Sequence, residues 1–242
     1  DYLLPDSLNI TSSKLIYDRE RDQATVVGFY GDTEVYGNLG SFVYANSPLG
    51  DKSLMLNKFS PSFVKNIRVN ERTNGAVYEG VELLRAVPRS DGGMLIIAEQ
   101  KEIATQDDII LVNGIPQSTS KNVFNYNEVL ILNYDSAGFL DWHKVLTKNQ
   151  TTVNDGGYFS SVVVFIGNDF VQLFYNDQLR NSGDVMQYTV YFNGEEERTK
   201  LLKNELDHVA IMPTESRQVS SNKMIIPTAK NRRFAILKLL YN

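Results

Sequence analysis

The chain has 242 residues, 42% of them hydrophobic and 22% charged, with a formal net charge of −5 and no cysteine. That length and apolar content allow one large all-β domain or two small ones with a sizeable core, and they exclude a disordered chain. The acidic balance argues against nucleic acid or anionic lipid as a partner, and the lack of cysteine rules out disulfides, thiolate metal sites and cysteine nucleophiles.

The chain begins at Asp1 rather than Met, which reads as a removed leader or a fragment. Aromatic content is carried by 13 Tyr and 12 Phe, residues that suit pleated, half-buried strands. The strongly apolar runs, such as Val162–Ile166 and Val129–Leu132, are too short to span a bilayer.

A first hairpin is predicted from Lys14–Tyr17, the polar turn Asp18-Arg19-Glu20-Arg21-Asp22 and Ala24–Tyr30. Ser41–Ala45 and Ser53–Leu56 add a third and a fourth strand. Residues 57–80, with Pro61 and Gly75, read as a long connection.

A second unit runs Val81–Val87, the turn Pro88-Arg89-Ser90-Asp91-Gly92-Gly93 and Met94–Glu99. Asp-Gly-Gly between apolar runs is a strong hairpin signal, because glycine takes positive φ at little steric cost. A polar insertion is expected at about 100–126. Glu128–Tyr134, the turn Asp135-Ser136-Ala137-Gly138 and Phe139–Leu146, which holds the single Trp142, complete the unit.

The third unit opens at Gly156-Gly157 and Tyr158–Ile166 and turns through Gly167-Asn168-Asp169 into Phe170–Tyr175. Met186, Tyr188, Val190 and Phe192 alternate with polar residues at period two, the pattern of a half-buried strand. Asn193-Gly194 is a hairpin turn, and Lys200–Leu202 opens either a fourth strand or a short helix. The fourth unit has three strands, at His208–Met212, Lys223–Ile226 and Phe234–Leu240.

The units echo one another. Ser12-Ser13 leads to Phe29-Tyr30-Gly31-Asp32, and Ser160-Ser161 leads to Phe174-Tyr175-Asn176-Asp177. Pro88 precedes Met94-Leu95-Ile96-Ile97, as Pro213 precedes Met224-Ile225-Ile226. Repetition of a strand unit at this scale points to a modular all-β array.

The second and third units carry a family resemblance. An apolar strand leads through Gly with Asp or Asn into a second strand, and a third strand turns through Asp135-Ser136-Ala137-Gly138 or Asn193-Gly194 into a fourth. This resembles the irregular β-propellers of envelope and secreted proteins of Bacteroidetes-type bacteria. The resemblance implies an all-β fold, a β-propeller-like array of about four four-stranded antiparallel blades in a single domain over 1–242, whole or part of a larger propeller. It further implies an extracytoplasmic location and allows Tyr2-Leu3-Leu4 to complete the last blade. The alternative architecture is a two-sheet β-sandwich.

Chemistry-bearing residues are sparse. His143 and His208 are the only histidines, no Gly-x-Ser-x-Gly elbow is present, and the acidic clusters Asp107-Asp108, Asn168-Asp169 and Glu195-Glu196-Glu197 lack calcium-loop spacing. No cofactor or metal is expected. Tyr30, Asp32, Tyr175 and Asp177 are the candidate ligand-binding residues, because equivalent positions in related blades face the same way and tyrosine with a carboxylate suits a sugar. The competing reading makes each Phe-Tyr-x-Asp a strand end with a turn-forming aspartate. Asn9-Ile10-Thr11 and Asn149-Gln150-Thr151 match the N-glycosylation triplet.

The expected function is a non-catalytic extracytoplasmic binding or scaffold module that meets a protein or glycan through loops at about 57–80 and 100–126. The alternative is a carbohydrate-active enzyme with carboxylates in a central funnel.

Overall fold

In the computed structural model the described residues are 7–19, 21–34, 37–46, 52–65, 80–177, 179, 183–202, 210–230 and 233–241. They form four antiparallel sheets of four or five strands each, with one five-residue helix, α1 (Pro61–Lys65). The predicted Tyr2-Leu3-Leu4 strand, His208 and most of the connection before residue 80 lie outside the described residues. The chain divides into two compact units: Asp1–Gln100 with Glu128–Thr147, and Lys101–Asn127 with Lys148–Asn242.

The first unit contains β1 (Leu8–Asp18), β2 (Gln23–Asp32), β3 (Asn38–Asn46) and β4 (Lys52–Lys58), hydrogen-bonded in that order. In the next sheet β5 (Val81–Pro88), β6 (Met94–Val112), β7 (Ile115–Tyr134) and β8 (Leu140–Leu146) also follow chain order. The Asp91-Gly92-Gly93 turn behaves as its sequence predicts. Gly92 sits at φ +93°, the Arg89 N–H donates to the Gly93 carbonyl at 2.9 Å, and Asp91 Oδ1 accepts the Gly93 N–H at 2.9 Å. Val27, Phe29, Ile96, Leu130, Leu132 and Tyr134 are among the residues that fill this unit's core. Within it the buried Tyr134 hydroxyl donates to Ser41 Oγ at 2.6 Å, so burial of this polar group carries little unpaired cost. Ser60 caps α1 through the Phe63 N–H, and Pro61 occupies the first helical turn.

The second unit holds β9 (Gln150–Val153), paired with β7, and the sheet β10 (Val163–Ile166), β11 (Phe170–Asn176), β12 (Val185–Tyr191) and β13 (Glu196–Leu202). The Asn193-Gly194 turn closes β12 onto β13, with Gly194 at φ +88° and the Tyr191 N–H donating to the Glu195 carbonyl. The Glu195–Glu197 run therefore leads into a strand, and Lys200–Leu202 completes that strand rather than starting a helix.

The last sheet is narrower. β16 (Lys223–Lys230) pairs along one side with β17 (Arg233–Leu240) and along the other with two short pieces, β14 (Ala210–Ile211) and β15 (Arg217–Ser220). A single 3-10 turn at Pro213–Glu215 separates those pieces. Pro213 thus interrupts a strand, whereas Pro88 ends β5 beside a tight hairpin, so the two Pro-Met segments are not structurally equivalent. Met224 and Ile226 from β16 pack with Val163, Phe165, Phe174 and Ile211 in the core of this unit.

The greatest departure from the sequence expectation lies at 100–126. It is a long ribbon formed by β6 and β7, closed by Asn113-Gly114, with both residues at positive φ. That conformation is the type I′ hairpin geometry.

Candidate functional site

Both Phe-Tyr-x-Asp segments occupy the C-terminal end of the second strand of their sheets, β2 and β11. The two copies lie in different units and are described separately.

In the first copy, Tyr30 pairs with Gly40 on β3. Its hydroxyl lies where a Gly40 side chain would stand, 2.6 Å from an ideal Cβ. Tyr30 is buried, and that burial raises its hydroxyl pKa above the ordinary value. Asp32 Oδ1 accepts the Glu34 N–H at 2.8 Å, a local turn bond. Tyr30 therefore covers a glycine and Asp32 shapes the turn that follows.

In the second copy, Tyr175 is fully buried, and its hydroxyl is pushed up to about 12 by burial. The Arg198 guanidinium stands over its ring at 5.7 Å and donates to Asp177 Oδ1 at 3.0 Å. Tyr188 and Arg198 pair across β12 and β13, and the Tyr188 hydroxyl donates to Glu196. The result is an interlocked row of aromatic and charged groups on one face of the β10–β13 sheet. Cation–π contact and an ion pair share one guanidinium, which fixes the end of β11 against β13.

Asn176, between Tyr175 and Asp177, has the larger structural share. Its Nδ2 donates to the Phe159 carbonyl at 2.7 Å and the Ile211 carbonyl at 2.8 Å, and its Oδ1 accepts the Ile211 N–H at 3.0 Å. Its own carbonyl accepts from Gln150 Nε2 at 2.7 Å. Gln150 Oε1 in turn accepts the Ser161 N–H at 2.8 Å and Lys148 Nζ at 2.9 Å. Lys148 is buried, and it also donates to the Tyr126 carbonyl and lies 5.9 Å from the centre of that ring. Gln150, read from sequence only as the middle of an N-glycosylation triplet, is thus a buried hub.

Two buried carboxylates were not singled out from sequence. Glu99 on β6 and Glu128 on β7 are 1% and 2% exposed. Each ends or begins an apolar strand run, which is the signal that marks them. His143 meets the Phe63 ring edge-on at 4.5 Å, and burial lowers its pKa below the ordinary histidine value. Trp142 is half-buried on β8. Among the described residues no group of three His, Asp or Glu side chains is placed to hold a metal ion. No described helix is long and apolar enough to cross a membrane.

The most exposed apolar surface lies on the ribbon. Ile109 and Leu111 are 72% and 71% exposed at its tip, with Ile110, Val112 and Ile115 beside them. Asp107 and Asp108 flank these residues, and Asp108 Oδ1 accepts the Ile109 N–H at 3.0 Å. Further down, Thr105 donates to Asn122 at 3.0 Å and Asn125 to Glu102 at 3.4 Å across the ribbon. These cross-strand bonds give the ribbon a fixed register.

No family model matches the chain, and no curated protein does. Among solved structures it is similar to a GH43 beta 1,3 galactosidase, with a TM-score of 0.30 and 9% identity over 93% of this chain and 55% of that one. The chain therefore spans about half the length of that structure.

Proposed function

We propose that the chain is a non-catalytic, extracytoplasmic binding module, built as a propeller-like array, that contacts a protein through the β6–β7 ribbon. The observation that carries this reading is the exposed pair Ile109 and Leu111 on one face near the ribbon tip, with Ile110 and Ile115 exposed on the other face. Large aliphatic side chains left in water on a protruding ribbon mark it as an interaction site. Its aliphatic character suits a protein partner better than a sugar, which is gripped by flat aromatic faces. The candidate tyrosines are buried, and the candidate aspartates are engaged by Glu34 and Arg198.

The propeller reading is supported by connectivity. Within the first sheet, and again within the β10–β13 sheet, strands pair in chain order, as in a propeller blade. Immunoglobulin-type sandwiches use Greek-key crossings instead.

The functional reading is tested with the full chain as bait in an envelope extract, beside an Ile109→Asp/Leu111→Asp variant. The expected result is a protein captured by the wild type and lost with the variant. Glycan turnover abolished by Asp32→Asn or Asp177→Asn would overturn the reading, as would capture indifferent to the ribbon tip. Cell fractionation tests the extracytoplasmic location.

A further inference from the structure

The last sheet presents a surface complementary to the ribbon tip. Cross-strand pairing places Phe234, Ile236, Lys238 and Leu240 of β17 on the same face as Ala229, Pro227, Ile225 and Lys223 of β16. Arg217 of β15 joins that face opposite Ile225. Phe234, Ile236 and Leu240 are 65%, 61% and 60% exposed. The opposite face, with Met224, Ile226, Leu237 and Leu239, packs into the core. Among the described residues, the exposed face is therefore the outer one of this sheet.

Its charge is as distinctive as its apolarity. Of the basic residues in β14–β17, Arg217, Lys223 and Lys238 lie on this face, which carries no Asp or Glu, in a chain whose net charge is −5. The ribbon tip is the reverse: Asp107, Ile109 and Leu111 share one face of β6, with no basic residue from Asp107 through Ile115, while Asp108 on the other face pairs with Lys121 at 3.5 Å. Apolar area would meet apolar area, and carboxylate would meet ammonium or guanidinium.

The same acidic residues disfavour an anionic membrane as the partner.

We propose that the ribbon of one copy of this chain docks on the β17 face of a second copy, with the Asp107, Ile109 and Leu111 side of β6 against that face. The proposal rests on the binding-module reading and names its partner. The contact is heterologous: a ribbon on one side, a sheet face on the other.

Sedimentation velocity of the full chain over a wide concentration range tests it. The wild type is expected to self-associate. Ile109→Asp/Leu111→Asp, which removes the ribbon contact, and Ile236→Asp/Lys238→Glu, which removes the face, are each expected to be monomeric, with association weakened at least about tenfold. Mixing the two variants is expected to restore a heterodimer, since one keeps its face and the other its ribbon. Circular dichroism of each variant confirms its fold. Should either apolar variant fail to fold, Asp107→Lys/Asp108→Lys alone weakens association, and its combination with Arg217→Glu/Lys238→Glu restores it. A wild type that stays monomeric, association that survives either variant, or a mixture that stays monomeric would each overturn the proposal. If the wild type is monomeric but the ribbon variant still loses capture of another protein, the binding-module reading stands and only the self-association falls.

Discussion

Asn176 and Ile211 exchange two hydrogen bonds, one from Nδ2 to the Ile211 carbonyl at 2.8 Å and one from the Ile211 N–H to Oδ1 at 3.0 Å. A side-chain amide thereby does what a strand backbone would do, joining the end of β11 to β14. This buried pairing gives the second Phe-Tyr-x-Asp segment its role, and it lies one residue away from the aspartate that looked functional.

Asn176→Ala is expected to destabilise the protein by about 2–4 kcal/mol, because it orphans the Ile211 and Phe159 groups in a buried setting. Asp177→Asn disturbs only a half-exposed ion pair with Arg198, with side-chain exposures of 41% and 45%, and is expected to cost less than about 1 kcal/mol. Urea denaturation of the two variants separates these roles. A cost at Asp177 equal to that at Asn176 would contradict the structural assignment.

Tyr175→Phe removes a buried hydroxyl that has no hydrogen-bond partner among the described residues, while the ring remains beneath Arg198. Stability is expected to be unchanged or raised by up to about 1 kcal/mol. A large loss in thermal unfolding would show that the hydroxyl is held by Arg198, whose guanidinium stands over the ring.

Gly40→Ala places a Cβ 2.3 Å from the Asn57 carbonyl and 2.6 Å from the Tyr30 hydroxyl. The backbone contact cannot be relieved by a side-chain rotation, so the expected cost is about 1–3 kcal/mol or more. Gly40→Ala combined with Tyr30→Ala should recover little of it, since the carbonyl clash remains. Full recovery in the double variant would place the whole constraint on the tyrosine.

His143 predicts a pH dependence. Burial against Phe63 lowers its pKa, so the unfolded chain binds a proton more readily than the folded one. Stability is therefore fully present above the ordinary histidine pKa and declines as pH falls from there through the lowered folded value. His143→Phe keeps an aromatic group beside Phe63 and should flatten that decline. Denaturation midpoints measured at neutral and mildly acidic pH, for wild type and variant, check the difference. Equal slopes would remove His143 as the cause.

What the sequence made legible follows from how local each signal is. Asp91-Gly92-Gly93 and Asn193-Gly194 announce hairpins because positive φ is a property of the turn itself. The 100–126 ribbon escaped as a strand because both of its faces are wet, which erases the apolar alternation on which strand prediction depends. Asn113-Gly114 was the signal that could have found it. Gln150 and Asn176 were missed for a different reason: a polar residue that completes distant backbone groups looks, in sequence, like a turn residue. The Phe-Tyr-x-Asp repeat did locate a shared position, the end of the second strand, in two sheets. Its chemistry depends on partners at Gly40, Arg198 and Ile211, which sequence proximity cannot supply.

If the repeated aromatic-acid segments hold the sheets while the ribbon makes the contact, the two roles separate under mutation. Partner capture and unfolding free energy, measured side by side for Asn176→Ala and Ile109→Asp/Leu111→Asp, test it most directly. Asn176→Ala is expected to lose stability but, once folded, still to capture the partner, and the ribbon variant to keep its stability and lose capture. Capture retained by a folded ribbon variant would contradict it.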